Sequence, residues 1–111
     1  MIHLINIRAT PKQIEEMMKT LKSYIKLAVD IERKILAGGG ELHADCEAIL
    51  LGDGSKQENI WGANWIPSTK KVGYEAMLNL APRRNNPSME IQDPKIRHRV
   101  EVVIRERLDV L

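Results

Sequence analysis

Two residue pairs of one form, Thr10-Pro11 and Asp93-Pro94, most constrain what this 111-residue chain can fold into. A Thr or Asp ahead of a Pro is a helix-start signal. The side-chain oxygen accepts an orphan backbone N–H, and the Pro takes the first helical position, where a missing donor costs nothing. Behind Thr10, Gln13 stands where it completes a capping box, and Ile14, Met17, Met18, Leu21, Ile25 and Ala28 recur at helical spacing. Behind Asp93, Ile96, Val100, Val103, Ile104, Leu108 and Leu111 form a second stripe. The pattern predicts one helix near each end, with Met17 and Met18 as core filler.

Between these helices the period changes to two. Val29, Ile31, Ile35 and Ala37 alternate with Asp30, Glu32, Lys34 and Leu36, and beyond Gly38-Gly39-Gly40 the residues Leu42, Ala44, Cys46 and Ala48 alternate with Glu41, His43, Asp45 and Glu47. Alternation on both sides of a glycine run predicts a hairpin turning at the glycines. The stretch IWGANWI (60–66) and the stretch from Val72 to Leu80 predict two more strands. The expected fold is an α+β two-layer sandwich. It has an antiparallel meander of about four strands, to which the opening IHLINI run adds an optional N-terminal strand, and both helices lie on its apolar face. The whole chain, residues 1–111, is expected to be a single domain.

The hairpin register carries the first functional expectation. With Gly38 and Gly39 as the turn, Lys34 faces His43, Glu32 faces Asp45 and Asp30 faces Glu47, so two cross-strand pairs are like-charged. Such a face asks for a neutralising partner, and three stay open: a divalent cation held by His43, Asp45 and Glu32, a guanidinium from Arg83 or Arg84, or water and salt around an exposed surface. A turn at residues 36–39 would leave only Asp30 against Asp45. No HExxH, paired CxxC or EF-hand loop accompanies the patch. If burial raised a carboxyl pKa, His43, Asp45 and Glu47 would be the candidate acid/base residues.

Placing Trp61 and Trp65 on the core face puts Asn64, Glu75 and Asn79 on the side of His43 and Asp45. The candidate ligand-binding set is therefore Asp30, Glu32, Glu41, Asn64, Glu75, Asn79 and Arg83. Cys46 falls on the opposite, apolar face and is expected to be buried and inert.

The segments GGELHADCE, GSKQENIWGANW and MLNLAPRRNNPS carry a resemblance. The chain resembles an uncharacterised family of small prokaryotic proteins, a domain of unknown function with GELHAD, GS-x-Q, WG-x-N and INIRP-type motifs. The resemblance covers nearly the whole chain and brings no activity with it. It implies one compact domain in which Glu41, His43 and Asp45 are joined by Gly54, Ser55, Gln57, Trp61, Gly62 and Asn64. Where the family pattern has an arginine before the proline, this chain has Ala81, with Arg83 as the substitute.

A net charge of +2, evenly spread, gives no support to nucleic acid or an acidic membrane as partner. The lone Cys46 and the absence of an apolar run of about 18 residues point to a reduced, cytoplasmic setting. Small size favours a homodimer as a source of buried area. Two function classes follow: a binding or assembly module for an unidentified ligand, and a metal-assisted or acid/base hydrolase using the same patch. The module is preferred, because so short a chain has few long loops from which to build a water-excluding pocket.

Overall fold

The computed structural model describes residues 1–110, so the part of the second stripe that falls on Leu111 lies outside the described residues. The elements in chain order are β1 (His3–Ile5), α1 (Pro11–Met18), β2 (Ile25–Asp30), β3 (Ile35–Gly38), α2 (His43–Gly52), β4 (Ile60–Ile66), β5 (Lys71–Gly73) and α3 (Pro94–Leu108). The strands form one sheet in the order β1-β3-β2-β4-β5, antiparallel throughout. This is the α+β antiparallel sandwich that the pattern predicts, with two departures. Strand β2 pairs with both β3 and β4, so the order is not a meander, and α2 adds a layer on the second sheet face where only one helical layer was expected.

Both predicted caps are made. Thr10 Oγ1 accepts Gln13 N–H at 3.1 Å while Gln13 Oε1 accepts Thr10 N–H at 2.9 Å, and Asp93 Oδ1 accepts Lys95 N–H at 2.8 Å. Helices α1 and α3 cover one sheet face. Ile14, Met17, Val100, Val103, Ile104 and Leu108 pack there against the odd-numbered residues of β2 and β4, among them Leu27, Val29, Trp61 and Trp65. The two tryptophans share the core face, as expected.

The first hairpin differs from the predicted one. Helix α1 ends at Met18 and β2 begins at Ile25, so Ile25 and Ala28 belong to a strand, and the turn falls at residues 31–34. The cause is local. Asp30 Oδ1 accepts the N–H groups of Glu32 and Arg33 at 3.0 and 2.9 Å, and Lys34 takes a left-handed φ of 58° that closes the turn. The glycine run ends β3 instead, where Gly39 has φ 102° and a side chain would strike the Met1 carbonyl and Met17.

Beyond the glycines the chain is helical. Period two and period 3.6 coincide over short apolar runs, and here His43, Cys46, Glu47 and Leu50, at i, i+3, i+4 and i+7, face inward. Cys46 and Leu50 pack on Ala28, Ile35, Ala37 and Ile60, so α2 covers the sheet face opposite α1 and α3. The expected pairs Glu32 with Asp45 and Asp30 with Glu47 therefore do not exist, and the like-charged sheet face goes with them.

The strand predicted from Val72 to Leu80 also shrinks to Lys71–Gly73, followed by 3-10 turns at Met77–Asn79 and Pro82–Arg84. A side chain takes its place. Asn79 Oδ1 accepts Gly62 N–H at 2.7 Å and its Nδ2 donates to Gly62 O at 2.9 Å, so a carboxamide pairs with β4 as a neighbouring strand's peptide would. Asn86 Nδ2 donates to the carbonyls of Asn79, Ser88 and Glu90, and its Oδ1 accepts Gln92 N–H.

Candidate functional site

The site is built where α2 starts over the small residues of the sheet. Ala28 and Gly62 are register partners on β2 and β4, followed toward one end by Lys26 and Asn64. A Cβ at Gly62 would collide with Ala76, so the absent side chain lets residues 75–80 lie against the sheet beside α2. The result is a groove of ≈ 470 Å³ with Tyr24, Lys26, His43, Asn64 and Glu75 among its walls.

His43 is the first residue of α2, half-buried, with its ring directed to the sheet. Nε2 lies 3.1 Å from Ala63 O and 2.8 Å from Asn64 Oδ1. A carbonyl can only accept, so Nε2 carries the proton. Asn64 Nδ2 donates to Glu75 O at 3.0 Å, which independently turns Oδ1 toward the histidine. Nδ1 is then the ring's lone-pair nitrogen, and it makes no hydrogen bond among the described residues. Burial lowers the His43 pKa below its ordinary value; the bonds to Asn64 and Ala63 oppose the shift and the Lys26 ammonium adds to it. The arrangement is a neutral imidazole with its tautomer fixed from behind and an acceptor in front.

A second depression of ≈ 460 Å³ shares Leu78 with the first and runs along α2 past Glu47 toward Arg83 and Arg84. Arg84 is committed to structure. Its guanidinium lies 3.9 Å from the Trp61 ring centroid and donates to Ile60 O at 2.7 Å, and burial lowers its pKa against the opposing effect of Glu47. Arg83, the expected substitute for the family arginine, is exposed.

The predicted residues divide into three groups. His43, Asn64 and Glu75 meet at the groove, and Glu41 adjoins it through its carbonyl, which accepts Lys26 Nζ at 3.0 Å. Glu47 and Arg83 line the second depression. The others are elsewhere or consumed: Asp45 is exposed and accepts Leu42 N–H at 3.2 Å, Asn79 is buried and bound to backbone, Asp30 is buried in the hairpin turn, and exposed Glu32 pairs with Arg99 at 2.9 Å. Asp30 ends β2 and Glu32 lies just past it, at the end of the strand remote from Lys26. Among the described residues no three His, Cys, Asp or Glu side chains are grouped to hold a metal ion. Cys46 is fully buried, with Sγ 3.5 Å from Lys26 O and a pKa raised by burial.

Sequence reasoning missed Tyr24, Lys26, Met77 and Met89. The signal for Lys26 is the alternation Ile25, Leu27, Val29, legible only once α1 is stopped at Met18.

With this geometry in hand, comparison with known proteins gives one match, a family model described as a protein of unknown function, DUF5674, over residues 3–107. The chain belongs to the DUF5674 family. No curated protein and no solved structure matches it. The motif segments behind the resemblance take successive places along this stretch of the fold. Glu41 to Asp45 lead into and begin α2, Gly54 to Gln57 form the turn after it, and Trp61 to Asn64 lie in β4. Among the described residues no helix is long and apolar enough to cross a membrane.

Proposed function

We propose that the chain is a binding module whose small-molecule ligand occupies the groove between α2 and residues 75–80, against His43. One observation carries the reading: an imidazole held neutral and in one tautomer by Asn64 and Ala63, with its Nδ1 acceptor left unpaired. His43 Nδ1 is not among the buried unpartnered atoms, so it is open to solvent, and a fixed acceptor in a partly apolar groove is the kind of group that orients a ligand there. Acid/base hydrolysis is the second reading, because an oriented neutral imidazole is also what a general base needs. It ranks lower. Cys46 is walled off beneath α2, so the nucleophile would have to be water in an open groove.

The setting of this activity is cytoplasmic in our reading, consistent with a lone cysteine kept as a thiol. Self-association would use the apolar side chains that α2 leaves exposed, Ile49 and Leu51. The test of the main reading is a fragment screen by nitrogen-15 NMR. Hits should perturb the amides of residues 42–44, Asn64 and Met77, and His43→Ala should abolish those shifts. Hits mapping only elsewhere, or surviving His43→Ala, would sink it.

A further inference from the structure

The groove around His43 carries more information than an acceptor alone. Lys26 and Glu75 flank Asn64 on the same sheet face, Lys26 as its register partner on β2 and Glu75 as the residue whose carbonyl receives its Nδ2. The two are oppositely charged, and neither forms an ion pair among the described residues. Lys26 Nζ spends one donor on Glu41 O, which leaves two of the three protons of an ammonium. On the accepting side stand His43 Nδ1 and the Glu75 carboxylate. A ligand that answers all of these must bring at least two N–H donors with positive charge and an acceptor with negative charge.

The upper walls are of another kind. Leu42, Met77 and Met89 line the same groove and are 56, 77 and 43% exposed, so large apolar side chains stand over a polar floor. Exposed apolar side chains gathered at one concavity mark a binding surface, and methionine adapts to varied ligand shapes. A groove of ≈ 470 Å³ lies in the range of small-molecule sites, about 300–1,000 Å³.

We propose that the ligand is a small zwitterion with an apolar body, of the class of free apolar α-amino acids: its carboxylate on Lys26, its ammonium on Glu75 and His43 Nδ1, and its side chain among Leu42, Met77 and Met89. This rests on the groove being a ligand site, as argued above. A plain carboxylic acid would leave Glu75 and His43 Nδ1 unanswered, and a plain amine would leave Lys26 so. No bond is made or broken in this role; the chain acts as a receptor or sensor for the free molecule.

The experiment is a nitrogen-15 NMR titration of the full chain with L-leucine and L-methionine, alongside L-leucinamide, which lacks the carboxylate, N-acetyl-L-leucine, which lacks the ammonium, and N-acetyl-L-leucinamide, which lacks both and mimics a peptide. The free amino acids should shift the His43 and Asn64 amides with a dissociation constant of about 1 mM or below, reasonable for so small a ligand. Each blocked compound should bind at least tenfold more weakly. Lys26→Met and Glu75→Gln should weaken the amino acids to a similar extent, and neither removes a side-chain contact that the fold uses beyond the Lys26 bond to Glu41 O. Equal binding of N-acetyl-L-leucinamide would replace the zwitterion by a peptide backbone and overturn the proposal. Silence of every amino acid would overturn it too. The fragment screen then separates the two failures: hits in the groove without amino-acid binding leave a ligand site of another class, and no hits in the groove remove both readings.

Discussion

The turn at Asp30 and the groove at His43 sit at opposite ends of β2 and handle a buried polar side chain in opposite ways. Asp30 is fully buried and accepts two backbone N–H groups of its own hairpin at Oδ1, while Oδ2 finds no partner among the described residues. His43 is held through Nε2 by groups of β4, lines the groove, and has a second nitrogen without a hydrogen bond among the described residues. The first arrangement specifies a fold, because the side chain answers backbone that would otherwise be orphaned. The second specifies a surface, because what it holds in place is an unused acceptor. A buried carboxylate is thus no better sign of function than a half-buried imidazole; what matters is whether the free atom faces protein or groove.

The largest effects should come from side chains that serve the backbone. Asp30→Ala removes the acceptor of two N–H groups, and Asn79→Ala strands the buried N–H and C=O of Gly62. Each should cost roughly 1–3 kcal/mol in chemical denaturation, the range for leaving polar groups of the fold unanswered. His43→Ala should cost about 1 kcal/mol or less, since Ala63 O retains its place in the sheet. A larger loss for His43→Ala than for Asp30→Ala would reverse the comparison.

Next is Asn64→Ala, which removes both the Nε2 acceptor and the bond to Glu75 O. About 1 kcal/mol of stability should go with it. The sharper readout is the imidazole itself. Nitrogen-15 spectra should show His43 as a single Nε2–H tautomer in the parent and a mixture in the variant. A parent spectrum with Nδ1–H would contradict the orientation on which the site rests.

A pH titration sharpens the contrast further. The folded His43 pKa lies below its unfolded value of 6.5, so below that value the unfolded chain binds the extra proton first. Stability contributed by this group is therefore fully present above pH 6.5 and is lost as pH falls from there through the folded pKa. Subtracting the His43→Gln curve from the parent curve isolates the effect. A parent-minus-variant difference that is largest in acid and falls as pH rises would mean instead that the imidazole is stabilised as a cation.

What the sequence made legible follows the range of the interactions. The caps at Thr10 and Asp93 act within three residues, so their spacing suffices to read them. Trp61 and Trp65 share a face because strand alternation is local too. Residues 41–48 were misplaced because a short apolar run satisfies two periods, and what decides between them is packing of Cys46 and Leu50 against Ala28 and Ile60, residues distant in sequence. Asn79 as a stand-in strand and Arg84 on Trp61 lie beyond any local pattern. The nearness of His43 and Asn64 was anticipated, but as neighbours on one sheet; they meet instead from a helix and a strand.

The smallest effects should come from the carboxylates that the predicted hairpin brought together. Glu32 is exposed and pairs with Arg99, and Asp45 is exposed at the start of α2, where the carbonyl of an asparagine can still accept Leu42 N–H. An exposed ion pair contributes about 0–1 kcal/mol, and a carboxylate at a helix N-terminus about 0.3–1 kcal/mol. Glu32→Gln and Asp45→Asn should each cost about 0.5 kcal/mol, and the double variant should equal their sum, because the two side chains share no partner. Added Mg²⁺, Mn²⁺ or Zn²⁺ should leave Tm unchanged in the parent and in both variants. A metal-dependent rise that Asp45→Asn removes, or a double-variant loss far from additive, would restore the shared acidic patch that the folded chain otherwise divides between a turn and a helix cap.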